Sequence, residues 1–238
     1  MRVVKAIMLG AVVALLGVAF SACGTGGAAA ARADNFVAVP LSGEWFDVHD
    51  DYGGSSINRT EVEVDGMAGF HIYGTVGSGG QWGGYVSFNL NPDERTLELL
   101  RSADAISFMI RGDGQRFFLS MDSSAVTDWG HFATAFDTVA GEAIRITAPI
   151  RTFFQPSWAA QIGRLRMETV TGMGFGAHEA WRPEPNSGLS APFEITIWDI
   201  SVHVPAEVAA AAPPVPVAAA PAALVPAVEY DVAEDYDG

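Results

Sequence analysis

The 238-residue chain contains a single cysteine, Cys23, and a single lysine, Lys5. One cysteine excludes both a disulfide within the chain and a zinc site built from several cysteines. Charged residues make up only 17% of the chain, and 28 acidic against 13 basic side chains give a net charge of −15. Because nucleic-acid binding needs clustered Arg and Lys, this balance argues against a nucleic-acid partner. The signature motifs of serine hydrolases, zinc proteases and P-loop enzymes are also missing from the sequence.

The composition that remains favours a folded, β-rich protein. Hydrophobic residues reach 49%, which is enough for a packed core, and 26 glycines with 6 tryptophans are typical of a chain rich in strands and turns. The length allows one or two domains.

The N-terminus is predicted to be a targeting segment. Arg2 and Lys5 precede an uncharged apolar run over residues 6–20. As a helix this run is about 22 Å long, shorter than a hydrocarbon core of about 30 Å, so it fits a signal peptide better than a membrane span. We therefore assign residues 1–22 to a signal peptide.

The residues that follow resemble the lipobox of bacterial lipoproteins. Phe20-Ser21-Ala22 stands directly before Cys23, whose sulfur would carry the lipid of the mature protein. A diacyl group holds a protein firmly to a membrane, so we expect a lipid-anchored protein of the bacterial cell envelope, periplasmic or on the outer surface. Residues 23–34, mostly Gly and Ala, form a flexible tether. The alternative is a secreted protein cleaved after Ala33, at the motif Ala31-Arg32-Ala33.

Residues 35–204 show the pattern of a single β domain. Ile106, Phe108 and Ile110 alternate on one face, a Gly-Asp-Gly turn follows at residues 112–114, and Phe117, Leu119 and Met121 return on a partner strand. This pattern predicts a hairpin. Further strands are predicted at residues 61–64, 69–74, 84–90, 132–136, 143–148, 167–175 and 193–204, with one helical turn within 91–102. Many short strands indicate a sandwich or barrel.

Residues 205–238 form a tail of different composition. Pro213, Pro214 and Pro216 interrupt a sequence of Ala and Val, and acidic and aromatic residues occupy the end from Glu229 to Asp237. Proline breaks helices and the apolar residues show no periodic face, so we predict an extended or disordered segment. It is either a solvated spacer or a docking peptide for an envelope partner.

Three segments carry a family resemblance. Asp50-Asp51 opens a Gly/Ser-rich stretch (50–56), the Gly-Asp-Gly turn joins two apolar segments (106–119), and Gly141-Glu142 follows a Phe-x-Thr segment (132–138). This pattern is similar to the family of complex I intermediate-associated protein 30, an assembly factor of mitochondrial NADH dehydrogenase. The resemblance implies a galactose-binding-like jelly roll, related to family 11 carbohydrate-binding modules. Residues 154–158 also resemble a segment of bacterial glycan-binding jelly rolls.

Aromatic side chains near polar ones are candidate glycan ligands, because aromatic rings stack on sugar faces while polar groups bond hydroxyls. Candidates in loop-like or strand-end contexts are Trp82, Tyr85, Trp129, His131, Trp158 and Trp181. Arg116, Ser120 and Asp122 fall on the strand face opposite Phe117, which the resemblance implies is concave. Trp45 and Trp198 are predicted core residues. The alternative for each Trp is simple packing.

Acidic residues suggest a candidate calcium site, but they give no indication of a glycosidase active site. Asp50, Asp51 and Asp199 could ligate calcium, an ion that prefers oxygen ligands, or serve only in turns and caps. Nothing in the sequence pairs Glu168, Glu179 or Glu194 at the ~5–9 Å spacing of a glycosidase. The sequence thus predicts a non-catalytic, membrane-anchored module that binds glycan. Alternatives are a protein-interaction or assembly module and a structural envelope component.

Overall fold

The computed structural model describes residues 36–51, 53–78, 84–128, 130–157, 159–178 and 191–211. In this part of the chain, the strands form two antiparallel sheets that enclose one hydrophobic core. The all-β jelly-roll sandwich predicted from the sequence is confirmed. The predicted signal helix and tether lie outside the described residues. Among the described helices, none is long and apolar enough to cross a bilayer.

One sheet, sheet A, contains six of the strands, which we number in chain order. They are β1 (Phe36–Pro40), β3 (Ser56–Val64), β4 (Met67–Val76), β6 (Ala105–Gly112), β9 (Ala143–Pro149) and β11 (Ala191–Pro205). Their order is β3-β4-β11-β6-β9, and β1 also pairs with β11. The register of β11 against β6 shifts between Trp198 and Ser201, where Asp199 has a positive φ of 51°. A bulge of this kind bends the strand, and β11 pairs with β1, β4 and β6 along its length.

The other sheet, sheet B, contains five strands. They are β2 (Gly43–His49), β5 (Tyr85–Pro92), β7 (Arg116–Ser123), β8 (Phe132–Asp137) and β10 (Val170–His178), in the order β2-β5-β10-β7-β8. The central strand is therefore β10, and β2 and β8 are the two edge strands.

The core lies between the two sheets and follows the period-two alternation of strands. Phe108 of sheet A and Phe175 of sheet B are fully buried, and their rings meet edge to face at 4.8 Å between centroids. Trp45, predicted to be a core residue, is partly buried; it packs against the core and stacks on Phe88 at 4.5 Å between ring centroids. Trp198 is buried as predicted, but it lies on the outer face of sheet A, because it follows the core residue Ile197.

Short helices occupy the connections. The predicted helical turn is the helix α1 (Glu94–Arg101), which begins after Asp93 and buries Leu99 and Leu100. Two 3-10 turns lie at Ile150–Thr152 and Met167–Thr169. A second helix, α2 (Ala206–Ala211), directly follows β11.

The start of the tail differs from the prediction. An extended or disordered segment was expected from Pro205 onward, whereas Pro205 ends β11 and the next six residues form α2. Val208 and Ala209 of α2 pack against the core, and this burial stabilises a helix that shows little apolar periodicity in the sequence. Residues 212–238 lie outside the described part of the chain.

The hairpin predicted at the Gly-Asp-Gly turn is wrong, because β6 and β7 do not pair with each other. The strand β6 belongs to sheet A and β7 to sheet B, so residues 112–114 carry the chain from one sheet to the other. Asp113 holds this corner, because its Oδ2 accepts from the Glu194 backbone N–H at 3.0 Å. Alternation of apolar residues identifies the inward face of each strand but does not specify its hydrogen-bonding partner. Both apolar faces point inward from opposite sheets.

Candidate functional site

The outer face of sheet B carries polar side chains that were predicted to form a ligand surface. Along β7, Phe117, Leu119 and Met121 are buried in the core, so Arg116 and Ser120 point to the opposite side. Asp122 lies on this outer side too, as does Tyr85 at the start of β5. The structure therefore places four of the predicted ligand residues on one face.

A row of directly opposed residues crosses the whole of this face. The paired residues, in spatial order, are Phe46 (β2), Asn89 (β5), Gly174 (β10), Ser120 (β7), Ala133 (β8) and Phe154, which pairs with Ala133 beyond the sheet edge. Directly opposed residues in antiparallel strands point to the same side of a sheet. We call this set the cross-strand row.

The two ends of the cross-strand row are exposed phenylalanines. Phe46 is 43% exposed and Phe154 is 59% exposed. Five inter-strand steps of about 4.8 Å separate them by about 24 Å along the sheet. Backbone hydrogen bonds fix the outer end, because Phe154 N donates to Ala133 O at 3.1 Å and Ala133 N donates to Phe154 O at 2.9 Å. Two apolar ring surfaces thus frame the row.

The residues in the middle of the row are polar or lack a side chain, so this part of the face projects little above the backbone. Every second residue of β10, from Gly172 to Gly176, is a glycine on the outer side, so the central strand projects no side chain there. A Cβ at Gly174 would overlap Asn89 Oδ1, and a Cβ at Gly176 would overlap the ring of Phe118. The glycines therefore let the neighbouring amide and ring lie across the central strand, which flattens the face.

Hydrogen bonds hold the polar groups of this floor. Ser120 Oγ donates to the Gly174 carbonyl at 3.2 Å, and Asn89 Nδ2 donates to Ser87 Oγ at 3.0 Å. These contacts orient Asn89 and Ser120 along the row.

Aromatic side chains also group beside the row. The rings of Phe118 and His131 stack with centroids 5.5 Å apart and an interplanar angle of 17°. Burial is the main cause that lowers the pKa of His131, and repulsion from the nearby His178 lowers it further. Tyr85 lies directly opposite His178 at the end of β10. His131 is therefore neutral at neutral pH and presents an aromatic ring to the face.

The carboxylates on this face have different surroundings. Asp122 as a residue is exposed. Its carboxyl group is nevertheless partly desolvated by neighbouring protein atoms, and this desolvation raises its pKa. Arg116 is engaged by Asp137 through two hydrogen bonds, of 2.7 Å from Nε and 3.0 Å from Nη2. This hydrogen bonding lowers the pKa of Asp137. Arg116 thus lies at the border of the face with its charge already balanced.

Several predicted ligand residues lie outside the described part of the chain. These are Trp82, Trp129, Trp158 and Trp181. Their role in binding stays a prediction.

The three candidate calcium ligands are not brought together. Asp50 and Asp51 follow β2, where Asp51 Oδ1 lies 2.8 Å from His49 Nε2, whereas Asp199 lies in β11 of the other sheet and pairs with Arg145. Among the described residues, no group of three His, Cys, Asp or Glu side chains could hold a metal ion. These residues do not fit a shared calcium site, and calcium binding by the chain stays a prediction.

Phe46, Asn89 and Gly174 were not among the residues predicted from the sequence. The alternate glycines at 172, 174 and 176 were a visible signal, because glycine at every second position strips one face of a strand of its side chains. No local pattern could reveal the cross-strand row, since its members come from six separate segments.

Comparisons with known proteins place the chain in a family. The family model described as "Complex I intermediate-associated protein 30" matches residues 40–197. A comparison with curated protein sequences finds no match.

Solved structures give further similarities. The family 11 carbohydrate-binding module of the cellulosomal cellulase Lic26A-Cel5E of Clostridium thermocellum is 17% identical; the alignment covers 69% of this chain and 88% of the module, with a TM-score of 0.48. The family 11 module of the same organism in complex with a β-1,3-1,4-mixed-linked tetrasaccharide is 16% identical, with 71% and 95% coverage and a TM-score of 0.48. An exo-β-agarase is 9% identical, with 72% and 25% coverage and a TM-score of 0.41.

The family match extends over more than half of the chain and includes strands of both sheets, together with the Gly-Asp-Gly corner between them. It confirms the resemblance found in the sequence. The chain belongs to the complex I intermediate-associated protein 30 family.

Proposed function

We propose that the outer face of sheet B binds a neutral polysaccharide that lies across the strands. The observation that carries this proposal is the cross-strand row, with exposed phenylalanines at both ends and a low polar floor between them. Aromatic rings offer flat apolar surfaces of the size of a sugar ring. A few placed polar groups then fix orientation, as in other ligand sites.

The polar groups of the floor suit a ligand rich in hydroxyls. Asn89 offers both a donor and an acceptor, and the Asp122 carboxylate accepts hydrogen bonds. The net charge of −15 disfavours a polyanionic ligand through long-range repulsion. A neutral glycan meets no such penalty.

We propose that the module binds its glycan without cleaving it. Glycosidases need two carboxyl groups on either side of one bond. Glu168 lies in the 3-10 turn Met167–Thr169, and Glu194 lies on the outer face of sheet A beside His71, with 3.8 Å between Glu194 Oε1 and His71 Nε2. Glu194 therefore faces away from the cross-strand row.

We also propose that lipid on Cys23 anchors the protein in a bacterial cell envelope. This rests on the apolar run and the small residues before the cysteine. Cell fractionation tests it: Cys23→Ser should move the protein from the membrane to the soluble fraction, and continued membrane association would contradict it.

A protein-binding role is the alternative, since the family description names association with a complex I intermediate. In that case the same face or the acidic tail would hold a protein partner. Capture of a defined envelope complex that survives loss of Phe46 and Phe154, in a protein that binds no polysaccharide, would favour this alternative.

Affinity electrophoresis tests the glycan proposal. The protein is run in gels containing mixed-linked β-1,3-1,4-glucan, agarose or other neutral polysaccharides, beside the variants Phe46→Ala and Phe154→Ala. Tyr73→Ala is a matched control, because Tyr73 is as exposed as Phe46 (43% each) but lies on sheet A. We expect retardation of the wild type and of Tyr73→Ala, and reduced retardation of both Phe variants. Equal migration of all four proteins in every gel would contradict the proposal.

A further inference from the structure

The exposed ring of Phe154 lies on a short segment beyond the edge of sheet B. This segment follows the 3-10 turn Ile150–Thr152, and within the described part of the chain its only β pairing is the bridge between Phe154 and Ala133. Phe153 is buried on one side of Phe154, but Phe154 itself is 59% exposed, so packing contributes little to the position of its ring. That position therefore depends on how the residues after Phe154 are held.

Gln155 folds the residues that follow Phe154 into a compact turn. The side chain of Gln155 is buried, and both ends of its amide have partners. Nε2 donates to the Ala160 carbonyl at 3.0 Å, and Oε1 accepts from the Ile162 backbone N–H at 2.8 Å. Because a buried amide needs such partners, these bonds fix the turn relative to Gln155, the neighbour of Phe154.

Asp128 connects this turn to the segment that joins β7 to β8. Its Oδ2 accepts from the Ala160 backbone N–H at 2.7 Å, and its Oδ1 accepts from the Gly130 backbone N–H at 2.8 Å. These backbone hydrogen bonds lower the pKa of Asp128, so the charged carboxylate is the form that makes them at neutral pH. The two segments lie close together, since a Cβ at Gly130 would be 2.7 Å from the Cβ of Ala159. Ala160 is thus held at its N–H by Asp128 and at its carbonyl by Gln155.

We propose that Asp128 is a positioning residue of the glycan site. Through Ala160 and Gln155, it holds the ring of Phe154 at the end of the cross-strand row, and it acts without contacting the ligand. A ring that is already held in place loses less conformational freedom when a sugar stacks on it, so the complex is more stable. This inference rests on the proposed glycan binding and adds to the same site a residue that no sequence pattern indicated.

A double-mutant cycle between Asp128 and Phe154 tests this role. Calorimetry measures the affinity of a linear oligosaccharide long enough to span the cross-strand row for the wild type, Asp128→Ala, Phe154→Ala and the double variant. Asp93→Ala is the matched control, because the Asp93 carboxylate also accepts two hydrogen bonds but lies at the start of α1. Thermal melting of each variant verifies that it is folded.

We expect Asp128→Ala to weaken binding at least about threefold, the change that corresponds to ordering one additional side chain on binding. In the Phe154→Ala background, Asp128→Ala should have no further effect, because no ring is left to position. A general loss of stability would not depend on Phe154 in this way. An equal loss in both backgrounds, no loss in either, or the same loss in Asp93→Ala would overturn the proposal.

Amide hydrogen exchange, measured by NMR without ligand, separates this proposal from glycan binding itself. The Phe154 N–H, which donates to the Ala133 carbonyl, should exchange faster in Asp128→Ala than in the wild type and in Asp93→Ala. An unchanged rate would overturn the role of Asp128 whatever the ligand. Faster exchange in a protein that binds no polysaccharide would instead contradict the proposed function, and Asp128 would then only stabilise the segment.

Discussion

Asp93 sets the start of α1 through both oxygens of its carboxylate. Oδ1 accepts from the Thr96 backbone N–H at 2.7 Å, and Oδ2 accepts from Ser42 Oγ at 2.7 Å. The hydrogen bond from Ser42, followed by that from Thr96, lowers the pKa of Asp93. The charged form is therefore the one that holds the helix, and it also ties the segment before β2 to α1.

We predict that Asp93→Ala lowers the free energy of unfolding by about 1 kcal/mol at pH 7, the usual cost of losing an N-cap. Because the pKa is lowered in the folded state, this stabilisation is complete above the unfolded-state value near 3.8 and is lost as pH falls through the folded value. Urea denaturation at several pH values measures it. Asp93→Asn, which keeps an acceptor, should retain more stability at pH 7. A difference between wild type and Asp93→Ala that stays constant down to pH 2 would contradict this account.

His131 should also make the stability of the protein depend on pH, but at higher pH values than Asp93. Burial and the nearby His178 lower its pKa below the ordinary 6.5, so the folded state favours the neutral ring. The unfolded chain then binds more protons as pH falls below 6.5, and stability decreases. We expect the melting temperature of the wild type to fall more between pH 7.5 and 5 than that of His131→Gln. Identical losses in both proteins would show that His131 does not contribute.

The sequence predicted the outward-facing polar residues of β7 better than the aromatic ends of the cross-strand row. Ser120 and Asp122 were assigned to the outer face because they alternate with Phe117, Leu119 and Met121, whose burial follows from their apolar character; their role in binding stays a prediction. Phe46 was not found, since an apolar residue between Trp45 and Asp47 shows no preference for either face. Its exposure depends on the pairing of β2 with β5, which is set by contacts distant in sequence.

At the scale of elements, the corner between β6 and β7 joins the two sheets. A Cβ at Gly112 would lie 2.6 Å from the side chain of Thr138, which is buried. Thr138 cannot easily move, because its Oγ1 accepts from Gly114 N at 3.0 Å and donates to Gln115 O at 2.8 Å. Only glycine at position 112 allows this close approach.

We predict that Gly112→Ala lowers the free energy of unfolding by about 1–3 kcal/mol through this overlap. Chemical denaturation measures the change. Thr138→Ser keeps the hydroxyl but removes a methyl group, so the double variant Gly112→Ala/Thr138→Ser should recover part of the loss. Additive effects of the two substitutions would show that the overlap is not the cause.

The strands themselves were largely predictable, and their pairing was not. The predicted strand that contains Ile106, Phe108 and Ile110 and the predicted segments at 132–136 and 193–204 all lie within observed strands, because alternating burial leaves a local signal. The hairpin at the Gly-Asp-Gly turn was wrong, since the same alternation fits a strand in either sheet. The helix Ala206–Ala211 was missed because contacts with the core, rather than local periodicity, stabilise it.

At the scale of the whole molecule, the two sheets present separate outer faces. The cross-strand row lies on the outer face of sheet B, whereas the control residue Tyr73 lies on sheet A. A substitution on one sheet can therefore be compared with one on the other.

The dependence of affinity on ligand length tests the central claim most directly. Linear oligosaccharides of increasing length, prepared from a polysaccharide that retards the wild type, are titrated calorimetrically into the wild type, Phe154→Ala and Tyr73→Ala. We expect affinity for the wild type and Tyr73→Ala to rise with length until the ligand spans the roughly 24 Å between the end rings. Phe154→Ala should lose the gain of the longest ligands, about tenfold for a stacking contribution of about 1.4 kcal/mol. Affinities that are the same at all lengths, or that Phe154→Ala and Tyr73→Ala change equally, would contradict the account.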